Sequence, residues 1–309
     1  MLWSEAVRTL LQGKEYKGQV TLSYALSKAH LSKSTYEYEI KRAARPQDPE
    51  EMRLEGEIKA IWLKSGKRYG YRKIVIELAA RYHEKVNHKK VLRLMRKMKI
   101  EAILCGEGHK YSSYRGSVGK IAPNLLKRDF HTTTCLQKAG TDVTEMKFPF
   151  GKVYFSPVID FHNDEILAYS ISLSPNMKMI DDMLDMLFRD HPMLRNMVLH
   201  SDQGWQYQME SYQKRLKDAG IIQSMSRKGN CLDNSKTENL FSKMKKEMYY
   251  GHENEPQTFA EARKTIEEYV RWYNTERIVQ RLGGTPVSNR STVPLPLLTY
   301  SANIVLKSN

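Results

Sequence analysis

The sequence predicts an α/β fold in which a mixed five-stranded sheet with flanking helices follows an all-α region. Apolar residues recur at helical spacing up to about residue 105, whereas β-rich segments begin at about residue 138. Charge divides the chain at nearly the same place. Residues 1–137 hold 28 Lys+Arg against 14 Asp+Glu, and residues 138–309 hold 22 against 21. A basic helical part therefore precedes a nearly neutral α/β part.

The overall charge indicates the class of partner. The 309 residues carry a formal net charge of +15, with a sequence pI of about 9.5. Such a balance favours a polyanion, with nucleic acid before a membrane surface, although charge alone also fits a merely soluble basic protein. No apolar run has transmembrane length. We therefore expect a DNA partner and no membrane partner.

The cysteine pattern indicates whether disulfides or a structural zinc ion stabilise the fold. Cys105, Cys135 and Cys231 are odd in number and far apart, with no C-x-x-C pair. This pattern argues against a disulfide framework and a structural zinc site, and it fits a reducing cytosol. The predicted location is cytoplasmic.

The helical part divides into two predicted segments. Residues 1–48 form a helical, helix-turn-helix-like segment, with a new helix starting near Ser32, and residues 49–105 form a basic helix-turn-helix domain. In the second segment, helices at about 50–64 and 72–82 precede a third helix that Asn87 can cap. Residues 87–99 carry six positive charges and no acid. A solvated charged face is the alternative, but this density favours DNA contacts by Arg72, Lys89, Lys90, Arg93, Arg96 and Lys97.

The α/β part is predicted over residues 137–295. A linker at 106–136 precedes it, and a tail at 296–309 follows it. Three strands come first, at 141–146, 152–161 and 165–172. A helix (177–189), a strand (197–200), a helix (207–219), a strand (221–225) and a helix (233–248) follow, with a last helix at 258–274 whose capping box is Thr258 with Glu261. By analogy, this order is that of a ribonuclease-H-like fold.

Three acids in this region form a candidate catalytic site. Asp142 lies in the first strand, Asp202 follows the strand Met197–His200, and Glu238 lies in the helix after the last strand. Carboxylates that converge within metal-bridging reach can hold two Mg²⁺ ions for phosphodiester chemistry, with Mn²⁺ able to substitute. Singly, each acid has a plainer explanation: a pair with a buried Arg, a helix cap, or a surface acid. Their combination in this element order favours the metal site.

Helical geometry extends the candidate site. At 100° per residue, Asn234, Glu238 and Lys245 share one stripe, while Leu240, Phe241 and Met244 form a neighbouring stripe suited to packing on the sheet. We therefore expect Lys245 and Asn234 to contact DNA beside Glu238. Asp233 is interpreted as the N-cap of this helix.

Several short motifs carry a resemblance to a known family. They are Tyr69-Gly70-Tyr71-Arg72, Val86–Val91, Thr141–Thr144, His200–Gly204, Ser224–Asn230 leading to Glu238, and Trp272-Tyr273-Asn274 with Arg277. With these, most of residues 31–290 resembles the second-reading-frame product of bacterial insertion-sequence transposases with a retroviral-integrase-type core. The resemblance implies DNA recombination and integration, with Asp142, Asp202 and Glu238 as the DDE triad and Lys245 as the basic residue seven positions after the glutamate. Two departures are Ala139-Gly140, where an aromatic residue usually precedes the first Thr-Asp, and Asn239-Leu240 after Glu238.

The expected activity is cleavage at insertion-element ends followed by strand transfer of the 3′-hydroxyl into target DNA. A ribonuclease-H-type nuclease and a catalytically inactive DNA-binding regulator remain the alternatives. A tyrosine recombinase is disfavoured, because the last third of the chain has no clear Arg/His/Tyr constellation. The resemblance also implies a homo-oligomer on DNA, an association with the bacterial nucleoid, and an upstream-frame helix-turn-helix partner or frameshift fusion.

Overall fold

The computed structural model describes residues 3–12, 20–43, 48–103 and 119–290. The chain divides into two compact units, with the boundary between Glu57 and Ile58. Residues 104–105 at the end of the predicted helix-turn-helix domain, residues 106–118 of the predicted linker, and the predicted tail lie outside the described residues. No helix in the described residues is long and apolar enough to cross a membrane.

The N-terminal unit begins with three short helices, α1 (Trp3–Gln12), α2 (Leu22–Lys28) and α3 (Lys33–Ala43). Val7, Ala25 and Leu26 form its small buried core. The Ser32 hydroxyl accepts the Thr35 N–H at 3.1 Å, which confirms the predicted helix start at this serine.

The next three helices are α4 (Pro49–Lys64), α5 (Tyr71–Tyr82) and α6 (His88–Lys97), close to the predicted bounds. Asn87 caps α6 as predicted, because its side chain accepts the Lys89 N–H at 2.9 Å. Helices α5 and α6 pack against each other. The apolar stripe of α6 is buried at Val91, Leu94 and Met95, so its basic side chains occupy the opposite, solvent-facing side.

The sheet has the mixed topology of the ribonuclease-H-like fold. Its strands are β1 (Lys138–Thr141), β2 (Thr144–Phe148), β3 (Gly151–Asp160), β4 (Ile166–Ser172), β5 (Val198–Ser201) and β6 (Ile222–Met225). Strands β1 and β2 lie end to end beside β3, so the six strands form five rows in the order β4, β3, β1/β2, β5, β6. The β1–β5 and β5–β6 pairs are parallel and the others antiparallel.

The first predicted strand is interrupted at Asp142, and the sequence of β3 explains the interruption. The pairs Thr141 with Val158 and Thr144 with Phe155 keep one register, which places Asp142 opposite Pro157. The Phe161 N–H donates to the Lys138 carbonyl at 3.0 Å. In an antiparallel ladder, every second residue of β3 donates its backbone N–H to the neighbouring strand. Counting back from residue 161, the N–H of residue 157 should therefore donate to the Asp142 carbonyl. Proline has no N–H, and the ladder therefore breaks beside the acid.

Helices cover both faces of the sheet. On one face, α7 (Met177–Asp190), α8 (Trp205–Gln208) and α9 (Glu210–Asp218) enclose a core with Val158 and Leu199. On the other face, α10 (Ser235–Met244), a π-helix (Lys245–Tyr249) and α11 (Phe259–Thr275) pack on Phe155, and a short α12 (Pro286–Arg290) follows.

Two predicted helices are divided in the structure. The predicted helix at 207–219 is interrupted at Met209, whose backbone is extended. The predicted helix at 233–248 consists of a 3₁₀ turn (Cys231–Asn234), α10 and the π-helix. The stripe predicted to pack on the sheet is confirmed, because Leu240, Phe241 and Met244 are all buried.

Candidate active site

Two of the candidate acids follow neighbouring parallel strands. Asp142 comes directly after β1 and Asp202 directly after β5. Gly140 pairs with His200, and the same register continued by two residues sets Asp142 beside Asp202. Both acids therefore lie at the carboxyl edge of the sheet, where α/β folds place their ligands.

The third acid is brought to this edge by a close contact between α10 and β1. A Cβ atom added to Gly140 would lie 2.4 Å from the Thr237 hydroxyl oxygen and 2.6 Å from the Phe161 ring. Only glycine therefore lets α10 approach β1 this closely. Glu238 is the next residue after Thr237, in the first turn of α10, where the helix dipole favours a negative charge. The departure at Gly140 noted in the sequence thus has a packing reason.

The pKa of each of the three acids is raised above its ordinary value. The Asp142 side chain is buried, and burial raises its pKa well above the ordinary value, with further contributions from the charges of Asp202 and Glu238. Burial also raises the pKa of Asp202. The pKa of Glu238, which is half-buried, is raised by burial and by the charge of Asp202. Burial is the largest cause at all three acids, like charge adds to it at Asp142 and Glu238, and no cation of the described residues forms an ion pair with them.

Hydrogen bonds orient the two aspartates. Asp142 accepts the Val143 N–H at 2.7 Å and the Asn234 side-chain amide at 2.9 Å. Asp202 accepts the Gly204 N–H at 2.8 Å. Asn234 is only 3% exposed. The prediction that Asn234 contacts DNA therefore does not fit the structure, in which it positions the Asp142 carboxylate.

The oxygen atoms near the three acids are of the kind that bind a hard divalent cation, although they are not arranged at metal-binding distance from one another. Two buried polar oxygens close to the acids have no hydrogen-bond partner in the described part of the chain, Asn234 Oδ1 and Thr237 Oγ1, and the buried Tyr207 hydroxyl interacts with Thr141. Carboxylate and neutral oxygens of this kind suit Mg²⁺. Within residues 3–12, 20–43, 48–103 and 119–290, however, no group of three or more His, Cys, Asp or Glu is arranged to hold a metal ion. The expected convergence at metal-bridging distance is thus not reached in this conformation.

Asp233 is not the helix cap that the sequence suggested. Asn234 occupies the cap position of α10 without a capping side-chain bond. Asp233 instead accepts hydrogen bonds from the guanidinium groups of Arg227, at 2.8 Å, and Arg128, at 2.9 Å, and its side chain is 0% exposed. These bonds hold its pKa below the ordinary value, with Arg227 the largest cause. Asp233 therefore anchors the loop that leads to Asn234 and Glu238.

Part of the predicted linker contributes to this anchor. Asn124 donates to Asp233 at 3.0 Å, and the Leu125 N–H donates to the Ser224 hydroxyl at 3.0 Å. Leu126 is buried. The segment 119–136 thus lies along the sheet beside the site, and no hydrophobic period in its sequence indicated this.

Tyr207 was missed by sequence reasoning. Its side chain is fully buried, and its pKa is raised well above the ordinary value by burial and by the charges of Asp142 and Asp202. The hydroxyl therefore lies close to both aspartates. Its position five residues after Asp202, on the short helix α8, was the available signal.

The predicted DNA contacts lie on solvent-accessible faces, apart from Asn234. Lys89, Arg93, Arg96 and Lys97 of α6 are exposed, Lys90 is half-buried, and Arg72 on α5 is exposed with its guanidinium over the Tyr71 ring. Lys245 begins the π-helix and is half-buried. Burial lowers the pKa of Lys245, whereas the charge of Glu145 raises it.

Family comparisons agree with this architecture. A family profile described as "HTH-like domain" matches residues 49–105. Two profiles, each described as "Integrase core domain", match residues 135–231 and 238–293. The second and third matched regions contain the strands and the helix that carry the three acids.

Three relatives identify the family. The putative transposase InsK for insertion sequence element IS150 of Escherichia coli is 41% identical over 276 residues, which cover 89% of this chain and 95% of that protein. An uncharacterized transposase-like protein of Haemophilus influenzae is 48% identical over 67% of this chain and 94% of its own length. The transposase InsF for insertion sequence IS3A of Escherichia coli is 31% identical over 62% of this chain and 66% of its own. The chain belongs to the IS3 family of bacterial insertion-sequence transposases, DNA-transposing enzymes of the polynucleotidyl transferase type.

Proposed function

We propose that this transposase cleaves DNA at the ends of its insertion element and transfers the freed 3′-hydroxyl into target DNA, with Asp142, Asp202 and Glu238 as the catalytic carboxylates. The observation that carries the proposal is the cluster of acids at the carboxyl edge of β1 and β5, with which no cation of the described residues forms an ion pair. Buried like charges are costly unless a cation joins them. A divalent cation shared by the three acids would offset that cost.

The protein's own part in this chemistry is to prepare the carboxylates. Val143 and Asn234 hold Asp142, and Gly204 holds Asp202, so both present fixed oxygens. Glu238 has the more exposed position in the first turn of α10, and its side chain would turn toward the aspartates to complete the set. When bound, Mg²⁺, or Mn²⁺ in its place, supplies Lewis-acid stabilisation of the attacking and leaving oxygens. The same carboxylates serve both cleavage and joining, because both are in-line displacements at phosphorus.

The proposed DNA contacts are made outside the carboxylate cluster. The exposed cations of α6, together with Arg72, would meet backbone phosphates, and Lys245 would hold the DNA end near Glu238. Such contacts position the duplex rather than read its sequence. We also propose that the enzyme acts as a homo-oligomer on DNA, with an upstream-frame helix-turn-helix protein or frameshift fusion as partner.

The test compares Glu238→Gln with Glu210→Gln, a matched change at an exposed glutamate on α9. Joining of a labelled element end to plasmid DNA in Mg²⁺ or Mn²⁺ should fall by more than about a hundredfold in Glu238→Gln, because a ligand charge is lost. Glu210→Gln should join normally, and both variants should bind DNA as the wild type does. Near-normal joining by Glu238→Gln would falsify the proposed site. Cleavage without joining by the wild-type enzyme would favour the nuclease alternative, and absence of both reactions would favour the inactive regulator.

A further inference from the structure

Two adjoining cavities lie on the side of α10 that faces away from Glu238. Their volumes are about 400 Å³ and 570 Å³, and both are lined by Lys73, Lys243, Arg277 and Gln280. We call them together the basic groove. Lys236, Leu240 and Lys243 line it from α10, and Lys236 is about 160° around the helix from Glu238 at 100° per residue. The groove is therefore separate from the candidate active site.

The lining of the basic groove is strongly unbalanced in charge. Eight Lys or Arg side chains line it, against only two acids, Asp164 and Glu247. Each acid is already engaged. Glu247 accepts two hydrogen bonds from Arg277, at 2.7 and 2.8 Å, and Asp164 lies 2.8 Å from Arg281. The two acids can neutralise at most two of the eight positive charges.

Nearby cations oppose the charge on two of the groove lysines. Burial and the charge of Arg277 lower the pKa of Lys73 to about 8, although Glu247 raises it. Burial lowers the pKa of Lys243, where the charge of Asp164 raises it and those of Arg277 and Lys236 lower it. An anion placed in the groove would relieve this repulsion. The electrostatics thus agree with the lining residues, which by themselves indicate an anionic ligand.

Hydrogen bonds and ion pairs hold together the elements that form the walls of the basic groove. Lys73 and Arg72 come from α5, whereas Lys243 comes from α10. Just before α5, the Tyr69 hydroxyl donates to the Glu276 carbonyl at 3.1 Å and accepts the Ile278 N–H at 2.8 Å. Glu247 of the π-helix joins Arg277 and, at 3.7 Å, Lys73. These bonds fix the shape of the groove, and apart from Arg277 and Lys73 they do not use its cations.

The spread of charge favours a chain of phosphates over a single anion. The cations extend through both cavities, from Arg68 and Arg72 to Lys236 and Arg281. One phosphate ion could meet only a few of them, whereas successive phosphates of a nucleic-acid backbone could meet most. We propose that the basic groove binds the backbone phosphates of duplex DNA, as a contact region additional to α6 and to the catalytic edge.

The test measures DNA binding by the full chain in EDTA, so that catalysis plays no part. The variant Lys243→Gln/Lys246→Gln removes two groove charges. Its control, Lys214→Gln/Lys217→Gln, makes the same charge change at two exposed lysines of α9, on the other face of the sheet. Fluorescence anisotropy with a linear duplex of arbitrary sequence, repeated over a series of NaCl concentrations, gives the affinity and its salt dependence. Differential scanning fluorimetry checks that each variant is folded.

The groove variant should bind at least about tenfold more weakly and lose about two units of the slope of log K against log salt, since each lost phosphate contact removes about 0.9. The control variant should keep the wild-type slope. Equal slopes for the two variants would overturn the proposal. So would a groove variant that no longer binds inorganic pyrophosphate but keeps its DNA affinity, because the groove would then bind a small anion and not DNA. If Lys243→Gln lowers the unfolding temperature, the single variant Lys246→Gln replaces the double variant and should lose about one unit of the salt slope. An unchanged slope in Lys246→Gln would also overturn the proposal. Glu238→Gln should keep the wild-type salt slope in EDTA. A failure of the proposed catalytic site would therefore be seen in the joining assay and not in this binding measurement.

Discussion

Asp142 and Asp233 are both buried aspartates close to the start of α10, yet their surroundings are opposite. Around Asp142 the nearest charges are those of Asp202 and Glu238, and its pKa is raised. Around Asp233 they are the guanidinium groups of Arg227 and Arg128, and its pKa is lowered. Among the residues that the structure describes, no cation pairs with Asp142, whereas two pair with Asp233. Burial alone therefore does not distinguish a functional acid from a structural one, but the sign of its neighbours does.

The same distinction holds for the cations. Arg277 is paired with Glu247, with both side chains 5% exposed, and it links the π-helix to the segment after α11. Lys243 lines the basic groove beside further cations. Closed pairs such as Arg277 with Glu247 stabilise the fold. Clusters of one sign, negative on one side of α10 and positive on the other, are positions where a ligand of opposite charge is expected.

The largest effect on stability is expected for Asp233→Asn. The change leaves two guanidinium groups facing a neutral amide. Because Arg128 and Arg227 are 45% and 58% exposed, we expect a loss of about 2–4 kcal/mol in the free energy of unfolding, below that of a fully buried pair. Urea unfolding at neutral pH measures it. An unchanged midpoint would show that the Asp233 cluster is not an anchor.

The pH dependence of this difference follows from the direction of the shift. The folded-state pKa of Asp233 lies below its unfolded value. Its stabilisation is therefore complete above the ordinary aspartate pKa of about 3.9 and is lost as the pH falls toward the folded-state pKa. The gap between wild type and Asp233→Asn should narrow on acidification below that value. A gap that widens in acid would contradict the assigned ion pairs.

The sequence predicted the order of the strands and helices, because hydrophobic period and motif spacing are local signals, and the catalytic role of the three acids stays a prediction. It did not predict features that depend on distant partners. Asp233 resembled a helix cap until Arg128, more than a hundred positions earlier, was found beside it. Asn234 shares a helical stripe with Glu238, which suggested a DNA contact, but tertiary packing turns it to Asp142. The break at Asp142 required the register that places Pro157 opposite it.

A smaller effect is expected for Gly140→Ala, which tests the approach of α10 to β1. The new methyl group would collide with the Thr237 hydroxyl and the Phe161 ring, so we expect a cost of about 1–3 kcal/mol and weaker joining as Glu238 is displaced. Gly56→Ala is the control, because a Cβ there meets nothing within 4 Å. Adding Thr237→Ala should restore part of the loss, since the two changes are coupled. Full additivity of the two changes would contradict this contact.

The smallest effect is expected for Tyr207→Phe, which removes one hydroxyl near Asp142 and Asp202. The Thr141 side chain is the hydrogen-bond partner of this hydroxyl within the described chain, so its loss should lower the free energy of unfolding by no more than about 1 kcal/mol. If the hydroxyl orients the aspartates once a metal binds, the Mg²⁺ concentration for half-maximal joining should rise by up to about tenfold while the maximal rate stays constant. Tyr212→Phe is a matched control, because Tyr212 is equally buried, packs on Tyr207 with ring centroids 5.4 Å apart, and has its pKa raised by burial alone. Equal Mg²⁺ dependence in both variants would assign Tyr207 a packing role only.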